Sequence, residues 1–226
     1  MKYYPVNLDM RNRKCLVVGG GDVGTRKVIT LLECGALVTV VSINASEKLL
    51  KLAESGLIEL KKRPYTGADL GGMFLVICAT DNEQLNMQVG GDAEKMNMLC
   101  NVADRPEACN FILPALVKRG DLVIAVSTSG KSPAFAKKIR KDLEEQYGVE
   151  YADFLKLMGA IRKKLLSKRH EPEAHKPLFE KLINKDIVKL IKNNDADKID
   201  SVLFEVLGEG YRYMDLTRQE EQLKPD

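Results

Sequence analysis

Short apolar runs alternate with segments of helical periodicity over residues 1–112. The runs have the length and the content of branched side chains that buried strands need, and they cover residues 14–18, 37–41, 58–61, 73–79 and 98–102. Between them, apolar residues recur every three or four positions, which predicts helices around residues 28–32, 45–55 and 83–96. Strands that alternate with helices at these lengths predict a doubly wound parallel sheet.

The pattern changes beyond Pro114. Residues 121–127 have the pattern of one more strand, and Pro133 suits the first turn of a basic helix that runs to about Tyr147. From residue 151 onward only helical periodicity follows, with a break over residues 170–177. We therefore expect an α/β protein in three parts, a parallel-sheet domain, a central segment and a small all-helical domain, over residues 1–112, 113–150 and 151–226.

The composition is that of an ordinary globular protein. The chain has 226 residues, of which 45% are hydrophobic, and this composition excludes a disordered or collagen-like protein. The sequence has no apolar run of membrane-spanning length, no signal-peptide pattern and no C-x-x-C pair among its five cysteines, so we expect a cytoplasmic protein without a membrane partner. His170 and His175 lie five positions apart, which does not suit one helix face, so no metal site is predicted.

The net charge of +3 is unevenly distributed. Residues 1–112 sum to zero, residues 113–169 to +7 and residues 170–226 to −4. A basic middle segment favours an anionic partner larger than a nucleotide, although a solvated helix face would give the same pattern. Nucleic acid is not expected as a partner, because the chain has no Trp and no basic motif interleaved with aromatic residues.

A glycine motif between the first strand and the first helix carries the main chemical signal. Residues 19–24 fit G-x-G-x-x-G: Gly19 permits a tight turn, Gly21 lets a pyrophosphate approach the backbone, and Gly24 allows close packing of helix on strand. The free N–H groups at the start of the helix add an anion-binding site. In this position the motif predicts a Rossmann-type domain that binds a dinucleotide.

The second strand lacks the acidic residue that usually binds the ribose. Where an Asp or Glu is expected, the chain has Ser42, Ile43 and Asn44, so Ser42 or the backbone of the two next residues must hold the adenosine ribose. No arginine or lysine stands there to bind a 2′-phosphate. These residues therefore favour NAD over NADP.

Polar side chains follow two later strands at the edge where ligands of such sheets bind. Thr80, Asn101 and Asp104 are expected where a nicotinamide and its substrate meet. Asp104 is the candidate proton acceptor, although an aspartate before Arg-Pro is equally typical of a turn.

The loop over residues 127–133 is hydroxyl-rich and ends in G-K-S, but it is not a P-loop, because Ala125 occupies the position of the required glycine. With Thr128, Ser129 and Lys131 at a helix N-terminus, this loop suits carboxylates as well as phosphates.

Several of these motifs, taken in order, resemble the siroheme-synthase dehydrogenase family, whose members are precorrin-2 dehydrogenases and in some cases also sirohydrochlorin ferrochelatases. The resemblance covers about residues 2–150 and rests on Tyr4-Pro5-Val6-Asn7-Leu8, Val18 to Lys27, Ala79-Thr80-Asp81, Cys100 to Asp104, Phe111 to Pro114 and Ser127 to Pro133. Residues 151–226 match only as a helical segment, and the chain looks like the stand-alone form of the enzyme.

The resemblance implies a reaction, a site and an assembly. The reaction is the NAD-dependent oxidation of precorrin-2 to sirohydrochlorin, a tetrapyrrole with eight carboxylates that would suit the basic segment, and the central segment would exchange contacts in a homodimer. Asp104 matches the catalytic aspartate and Thr128 matches a hydroxyl near the tetrapyrrole. The positions that match NAD contacts are Asp22, Val23, Ile43 and Asn44. Many relatives carry alanine at position 24, so Gly24 should be a mild departure.

Two other functions remain open at this point. The chain is either a dehydrogenase alone or a bifunctional enzyme that also inserts ferrous iron, with Asp104 accepting the pyrrole protons. A third reading is a module that senses NAD through the glycine loop and catalyses nothing.

Overall fold

The computed structural model describes residues 2–103, 105–167 and 172–221 of the chain. The chain divides into two compact units, residues 1–113 and residues 114–226. Each unit has its own hydrophobic core, and each is described separately below.

The first unit is a five-stranded parallel sheet flanked by helices, as the sequence predicts. Its strands lie in the order β3-β2-β1-β4-β5, so the order reverses between β1 and β4. In chain order the elements are β1 (Lys14–Gly20), α1 (Asp22–Glu33), β2 (Leu37–Ala45), α2 (Glu47–Glu54), β3 (Ile58–Lys61), a 3-10 turn (Gly67–Leu70), β4 (Leu75–Cys78), α3 (Glu83–Lys95), β5 (Leu99–Val102) and a second 3-10 turn (Pro106–Ala108).

Both faces of this sheet are buried, which explains why its strands are apolar throughout. On β1, Cys15 and Val17 pack into one core with α1, whereas Leu16 and Val18 pack into the other with α3. A parallel strand covered on both sides needs such a continuous apolar run.

Strand β2 is four residues longer than the pattern predicts. It runs to Ala45, which pairs with Gly20 after an irregularity in the register between Val18 and Gly20. Backbone pairing with the glycine loop therefore extends β2 through Ser42, Ile43 and Asn44, whose mixed polarity resembles that of a loop.

The second unit begins with an antiparallel hairpin and continues as helices. The strand predicted at residues 121–127 is β7 (Leu122–Val126), and it pairs with β6 (Ala115–Arg119), a strand that the sequence pattern did not reveal. The two strands are joined at Gly120, whose φ of +59° suits a tight hairpin turn. Because only Val117 of β6 is buried, this strand lacks the apolar run seen in the first sheet.

Helices follow the hairpin in the described part of the second unit. They are α4 (Pro133–Gln146), α5 (Glu150–Ser167), α6 (Pro172–Ile183), α7 (Ile187–Lys192), α8 (Ala196–Leu207) and α9 (Tyr213–Glu221). Leu157 and Ile161 of α5 meet Leu182, Ile187 and Leu203 in one core, as the three- and four-residue spacing predicts. The expected break over residues 170–177 is wrong for its described part, because α6 already begins at Pro172 and contains Pro177. None of the helices in the described ranges combines the length and the apolar composition needed to cross a membrane.

Candidate functional site

A cleft of about 930 Å³ opens at the carboxyl ends of the strands of the first unit. It lies where the strand order reverses, which is the usual ligand-binding position of an open α/β sheet. Its lining comes from four segments, residues 18–23 from the end of β1 to the start of α1, 41–44 at the end of β2, 63–65 after β3 and 79–82 after β4, together with Gln84, Leu85, Gln88 and Ala103.

The glycine loop is packed so closely that side chains are excluded at three of its positions. A Cβ added to Gly19, whose φ is +114°, would lie 2.3 Å from the carbonyl oxygen of Ala79. At Gly20 it would lie 2.3 Å from the carbonyl oxygen of Asn44, and at Gly24 it would lie 2.2 Å from that of Gly19. The loop is thus pressed against β2 and β4 and held from beneath by α1. The contact at Gly24 means that an alanine at this position would require the loop of this chain to shift.

Gly21 differs from these glycines because a Cβ there would meet nothing within 4 Å. It is the N-cap residue of α1, and no described side chain caps that helix. The first amides of α1, on Asp22 and Val23, therefore border the cleft with the positive end of the helix dipole. Open space above Gly21 and uncapped amides beside it fit a pyrophosphate, whose oxygens need donors and close backbone approach.

A hydrogen-bond relay fixes the glycine loop to the start of α2. The Thr25 hydroxyl donates to the carbonyl oxygen of Gly21 at 2.9 Å, and its oxygen lies 2.8 Å from the hydroxyl of Ser46. Ser46 in turn accepts the amide proton of Leu49 as the N-cap of α2 and donates its own amide proton to the carbonyl of Gly20. These bonds connect the glycine loop, which follows β1, to the start of α2, which follows β2.

The end of β2 offers backbone and small polar groups to the side of the cleft where the sequence predicts the adenosine ribose. The Ser42 hydroxyl donates to the carbonyl oxygen of Asn44 at 2.7 Å, which leaves the Ser42 oxygen able to accept from a ligand. Ile43 is 67% exposed even though it is apolar, and it lines the cleft together with Asn44. An exposed apolar side chain at this edge suits contact with an aromatic base.

Thr80 is held at the end of β4 by a buried asparagine that the sequence reading missed. The Thr80 hydroxyl donates to Oδ1 of Asn86 at 2.6 Å, and Nδ2 of Asn86 donates to the Thr80 carbonyl oxygen at 3.0 Å. Cys78 also donates to Oδ1 of Asn86, and burial raises the pKa of the Cys78 thiol to about 12, so it stays protonated. An asparagine among the apolar positions of α3 was the available signal.

Two of the predicted cofactor-binding residues do not line this cleft, and the predicted catalytic residue lies outside the described residues. The Asn101 amide donates to the carbonyl oxygen of Phe111 at 3.0 Å, so it holds the loop after β5, and its role at the cofactor stays a prediction. Gly24 supports the glycine loop from beneath. Asp104 is not among the described residues. Of its neighbours, Ala103 lines the cleft and Arg105 pairs with Glu83 at 2.5 Å.

Arg63, Pro64 and Tyr65 form a wall of the cleft that the sequence reading did not find. Two guanidinium nitrogens of Arg63 donate to the two carboxylate oxygens of Asp69 at 2.8 and 2.5 Å. The bond with Arg63 lowers the pKa of Asp69 from 3.8 to about 2, although burial acts in the opposite direction. Tyr65 is buried and donates to Asp92 at 3.4 Å, and burial raises its pKa.

The hydroxyl-rich loop of residues 127–132 lies in the second unit, whereas the cleft belongs to the first. The Thr128 hydroxyl oxygen accepts the amide proton of Ser132 at 3.1 Å, and Ser132 caps α4 by accepting from the amide of Phe135. Ser129 has a φ of +53°, and both Ser129 and Lys131 are exposed. A loop folded in this way presents backbone and side-chain donors at a helix N-terminus, which suits carboxylates.

Within the described ranges, no cluster of three or more histidine, cysteine or acidic side chains is arranged to hold a metal ion. Burial is the largest influence on the thiols of Cys15, Cys78 and Cys100, and it raises the pKa of each to about 11 or 12. These thiols are therefore neutral core groups at physiological pH.

Comparison with known proteins links both units to one biosynthetic class. A family described as "Putative NAD(P)-binding" matches residues 6–115, and one described as "Sirohaem biosynthesis protein central" matches residues 119–146. The siroheme synthase of Methylococcus capsulatus is 34% identical over 205 residues, which are 91% of this chain and 43% of that protein. The siroheme synthase of Escherichia coli O139:H28 is 32% identical over 210 residues, or 92% of this chain and 46% of that protein.

A solved structure of SirC, a precorrin-2 dehydrogenase, superposes with a TM-score of 0.70 and 26% identity, covering 97% of this chain and all of that one. The chain thus spans less than half the length of the curated relatives it matches and the full length of this structural neighbour.

Proposed function

The chain belongs to the siroheme-synthase family of precorrin-2 dehydrogenases, and on that premise we propose that it oxidises precorrin-2 to sirohydrochlorin with NAD. The observation that carries the proposal is the full-length structural match to a precorrin-2 dehydrogenase. The glycine loop at the head of the cleft supports it, because Gly21 leaves the open space and the free amides that a dinucleotide pyrophosphate requires.

The chain's own residues suit each part of the cofactor. The amides of Asp22 and Val23 bind the pyrophosphate, and Ser42, Ile43 and Asn44 hold the adenosine ribose and base. Thr80, fixed by Asn86, holds the nicotinamide side, together with Asn101 as the sequence predicts. When bound, the nicotinamide ring supplies the hydride acceptor of the reaction. NAD is favoured over NADP because the end of β2 contributes no cationic side chain for a 2′-phosphate.

Asp104 accepts the proton in this proposal. The oxidation removes one hydride and one proton from the macrocycle, so a base is needed beside the hydride acceptor. Asp104 follows β5 by two residues, and its neighbour Ala103 lines the cleft. A carboxylate that follows β5 is the candidate base, because ligands of such sheets bind at this edge. Most of the rate enhancement would come from holding the substrate in the correct orientation toward this base and the hydride acceptor.

The macrocycle carries eight carboxylates, and the second unit offers cationic and hydroxyl groups to bind them. Thr128, Ser129 and Lys131 form the loop before α4, and the exposed Lys137 and Lys141 follow on that helix. Residues 113–169 carry a net charge of +7, which favours a polycarboxylate ligand through long-range attraction.

We further propose a homodimer that works in the cytoplasm. The β6–β7 hairpin turns Leu116, Val123 and Ala125 outward beside Lys118, and a two-stranded sheet with exposed apolar side chains gains stability from a second copy. The five cysteines are free thiols, and three of them are buried, as suits a reducing compartment.

The test is anaerobic incubation of the full chain with precorrin-2 and either NAD or NADP, followed at the absorbance band of NADH. We expect reduced cofactor to appear with NAD, and more slowly with NADP. If precorrin-2 remains unchanged with both cofactors while the chain still binds NAD, the dehydrogenase proposal fails and the sensing function takes its place.

Ferrous iron insertion is a second candidate activity, favoured by the similarity of the chain to siroheme synthases over 91% of its length. Asp104 would then also accept the pyrrole protons that iron displaces. Sirohydrochlorin given with ferrous iron, but without NAD, should lose its absorbance faster with the chain than without it. Equal rates in both samples would exclude this second activity.

A further inference from the structure

We propose that Arg63, fixed by Asp69, is the surface on which the adenine of the cofactor stacks, and that the pairing of these two residues selects NAD over NADP. The inference rests on the proposed function, since it assumes that the cleft holds a nicotinamide dinucleotide. It assigns a recognition role to a residue outside both the glycine loop and the end of β2.

Strand register brings Arg63 to the adenosine side of the cleft. Strands β2 and β3 are paired neighbours, and the last pair in their register is Val41 with Lys61. Ile43 and Arg63 each follow that pair by two residues, and both line the cleft. Because the end of β2 is where the adenosine of such cofactors lies, Arg63 borders the same part of the ligand.

The guanidinium of Arg63 is fixed in one plane. Nη1 donates to Oδ2 of Asp69 at 2.8 Å and to the carbonyl oxygen of Pro64 at 2.9 Å, while Nη2 donates to Oδ1 of Asp69 at 2.5 Å. The side chain is nevertheless 42% exposed, so part of it remains accessible to a ligand. An immobilised planar cation beside a cleft is a good stacking surface for a purine, since little further side-chain freedom is lost on binding.

Asp69 is itself held in place by hydrogen bonds, so the pair of Arg63 and Asp69 is a fixed part of the first unit. It is 5% exposed, and its Oδ2 accepts from both the amide and the hydroxyl of Thr66 in a capping box at the turn of residues 67–70. Its pKa falls to about 2, mainly because of the bond with Arg63, so the carboxylate stays charged at physiological pH.

The charges around Arg63 cancel. Lys61 lies 4.0 Å from Asp69 and 3.6 Å from Glu59, so the cluster contains two cations and two carboxylates. A 2′-phosphate approaching Arg63 would meet its charge already compensated and would also be repelled by Asp69. The uncharged 2′-hydroxyl of NAD carries no such penalty, so the cluster favours NAD while leaving the face of the guanidinium for stacking.

The test compares the affinities of the full chain and its variants for NAD, NADP, AMP and nicotinamide mononucleotide by titration calorimetry. Arg63→Ala should raise the Kd for NAD and for AMP about three- to tenfold and leave that for nicotinamide mononucleotide unchanged. Arg63→Lys, which keeps the charge but not the plane, should lose as much affinity for AMP. Unchanged affinity for AMP in Arg63→Ala, or full affinity in Arg63→Lys, would overturn the stacking role.

Asp69→Asn tests the selectivity. With the charge of Arg63 released, the ratio of the NADP Kd to the NAD Kd should fall about tenfold from its wild-type value. A ratio that stays constant in folded Asp69→Asn protein, or a wild type that prefers NADP, would overturn this part. If the Asp69 variant does not fold, the double variant Arg63→Met/Asp69→Asn decides the same point, because removing both charges of a cancelled pair should leave the ratio near wild type, whereas a large rise would contradict the cancellation.

A matched control separates recognition from surface charge. Arg11 forms a similar two-bonded pair with Asp9 at 2.9 and 2.7 Å, but it does not line the cleft. Arg11→Ala should leave every affinity unchanged. If wild-type protein binds neither NAD nor NADP, the proposed function fails. If it binds NAD and the Arg63 variants bind equally well, only this inference fails.

Discussion

Gly24 lies directly beneath the carbonyl of Gly19, so closely that a Cβ at residue 24 would be 2.2 Å from the carbonyl oxygen. This contact sets the distance between α1 and the loop that borders the cleft. The helix and the loop therefore share one backbone-to-backbone contact that leaves no room for a methyl group.

Gly24→Ala should destabilise the first unit by about 2 kcal/mol, because the loop must shift to admit the methyl group. It should also weaken NAD binding, since the same shift moves the amides of α1. The measurement is urea unfolding of wild type and variant at neutral pH. Equal free energies of unfolding would show that the loop admits the methyl group without cost.

Gly21→Ala should leave the stability of the first unit almost unchanged but should weaken NAD binding strongly. A methyl group at Gly21 meets nothing within 4 Å, and the φ of −79° is open to alanine, so stability should change by less than about 0.5 kcal/mol. The methyl group would instead occupy the space over the first amides of α1, and the Kd for NAD should rise at least about tenfold. Calorimetric titration with NAD checks this prediction. An unchanged affinity would show that the pyrophosphate does not bind over Gly21.

Ser46→Ala should lower the free energy of unfolding by about 1 to 2 kcal/mol. The variant loses the N-cap of α2 and the hydrogen bond to Thr25. Ser46→Thr retains a hydroxyl that can make both hydrogen bonds and should stay within about 0.5 kcal/mol of wild type. In Ser55→Ala the lost hydroxyl bonds only to the exposed end of α2. A similar loss of stability in that variant would mean that the relay contributes no more to the free energy of unfolding than an exposed hydrogen bond does.

These relationships show which parts of the site a sequence can predict. The strands of the first unit, the glycine motif and the edge that carries Thr80 follow from periodicity and from residues adjacent in the chain. The partnership of Arg63 with the cleft depends on β3 lying beside β2, and that strand order is not encoded in any local pattern. Asn101 depends on distant contacts in the same way, since its position near the end of β5 suggests a ligand contact, its amide bonds to Phe111, and its role at the cofactor stays a prediction.

The hairpin strand β6 was hidden for another physical reason. Its residues Ala115 to Arg119 bury only Val117, so no apolar alternation marks the strand, and only its pairing with β7 defines it. Conversely, β2 extends through Ser42 to Asn44 because the glycine loop pairs with its end. In both cases the pairing with another segment, rather than the pattern within the strand, decided the outcome.

The pair of Arg63 and Asp69 should make stability depend on acid pH. Because the pKa of Asp69 is lowered from 3.8 to about 2 in the folded chain, its carboxylate stabilises the fold above about pH 4, and this contribution is lost as the pH falls towards 2. The full effect is about 2 kcal/mol. Wild type and Asp69→Asn should therefore differ in urea unfolding at pH 7 and converge between about pH 4 and pH 2. A constant difference over that range would show that the pair contributes no proton-linked stability.

The most direct measurement of the central claim compares wild type with Asp104→Asn in anaerobic reactions with precorrin-2 and saturating NAD. The wild type should form one NADH for each sirohydrochlorin, as the balance of one hydride and one proton requires. The variant should form essentially none while its Kd for NAD stays within about twofold, because an amide cannot accept the proton. NADH formation at an unchanged rate in Asp104→Asn would contradict the assignment of Asp104 as the base of an NAD-dependent dehydrogenase.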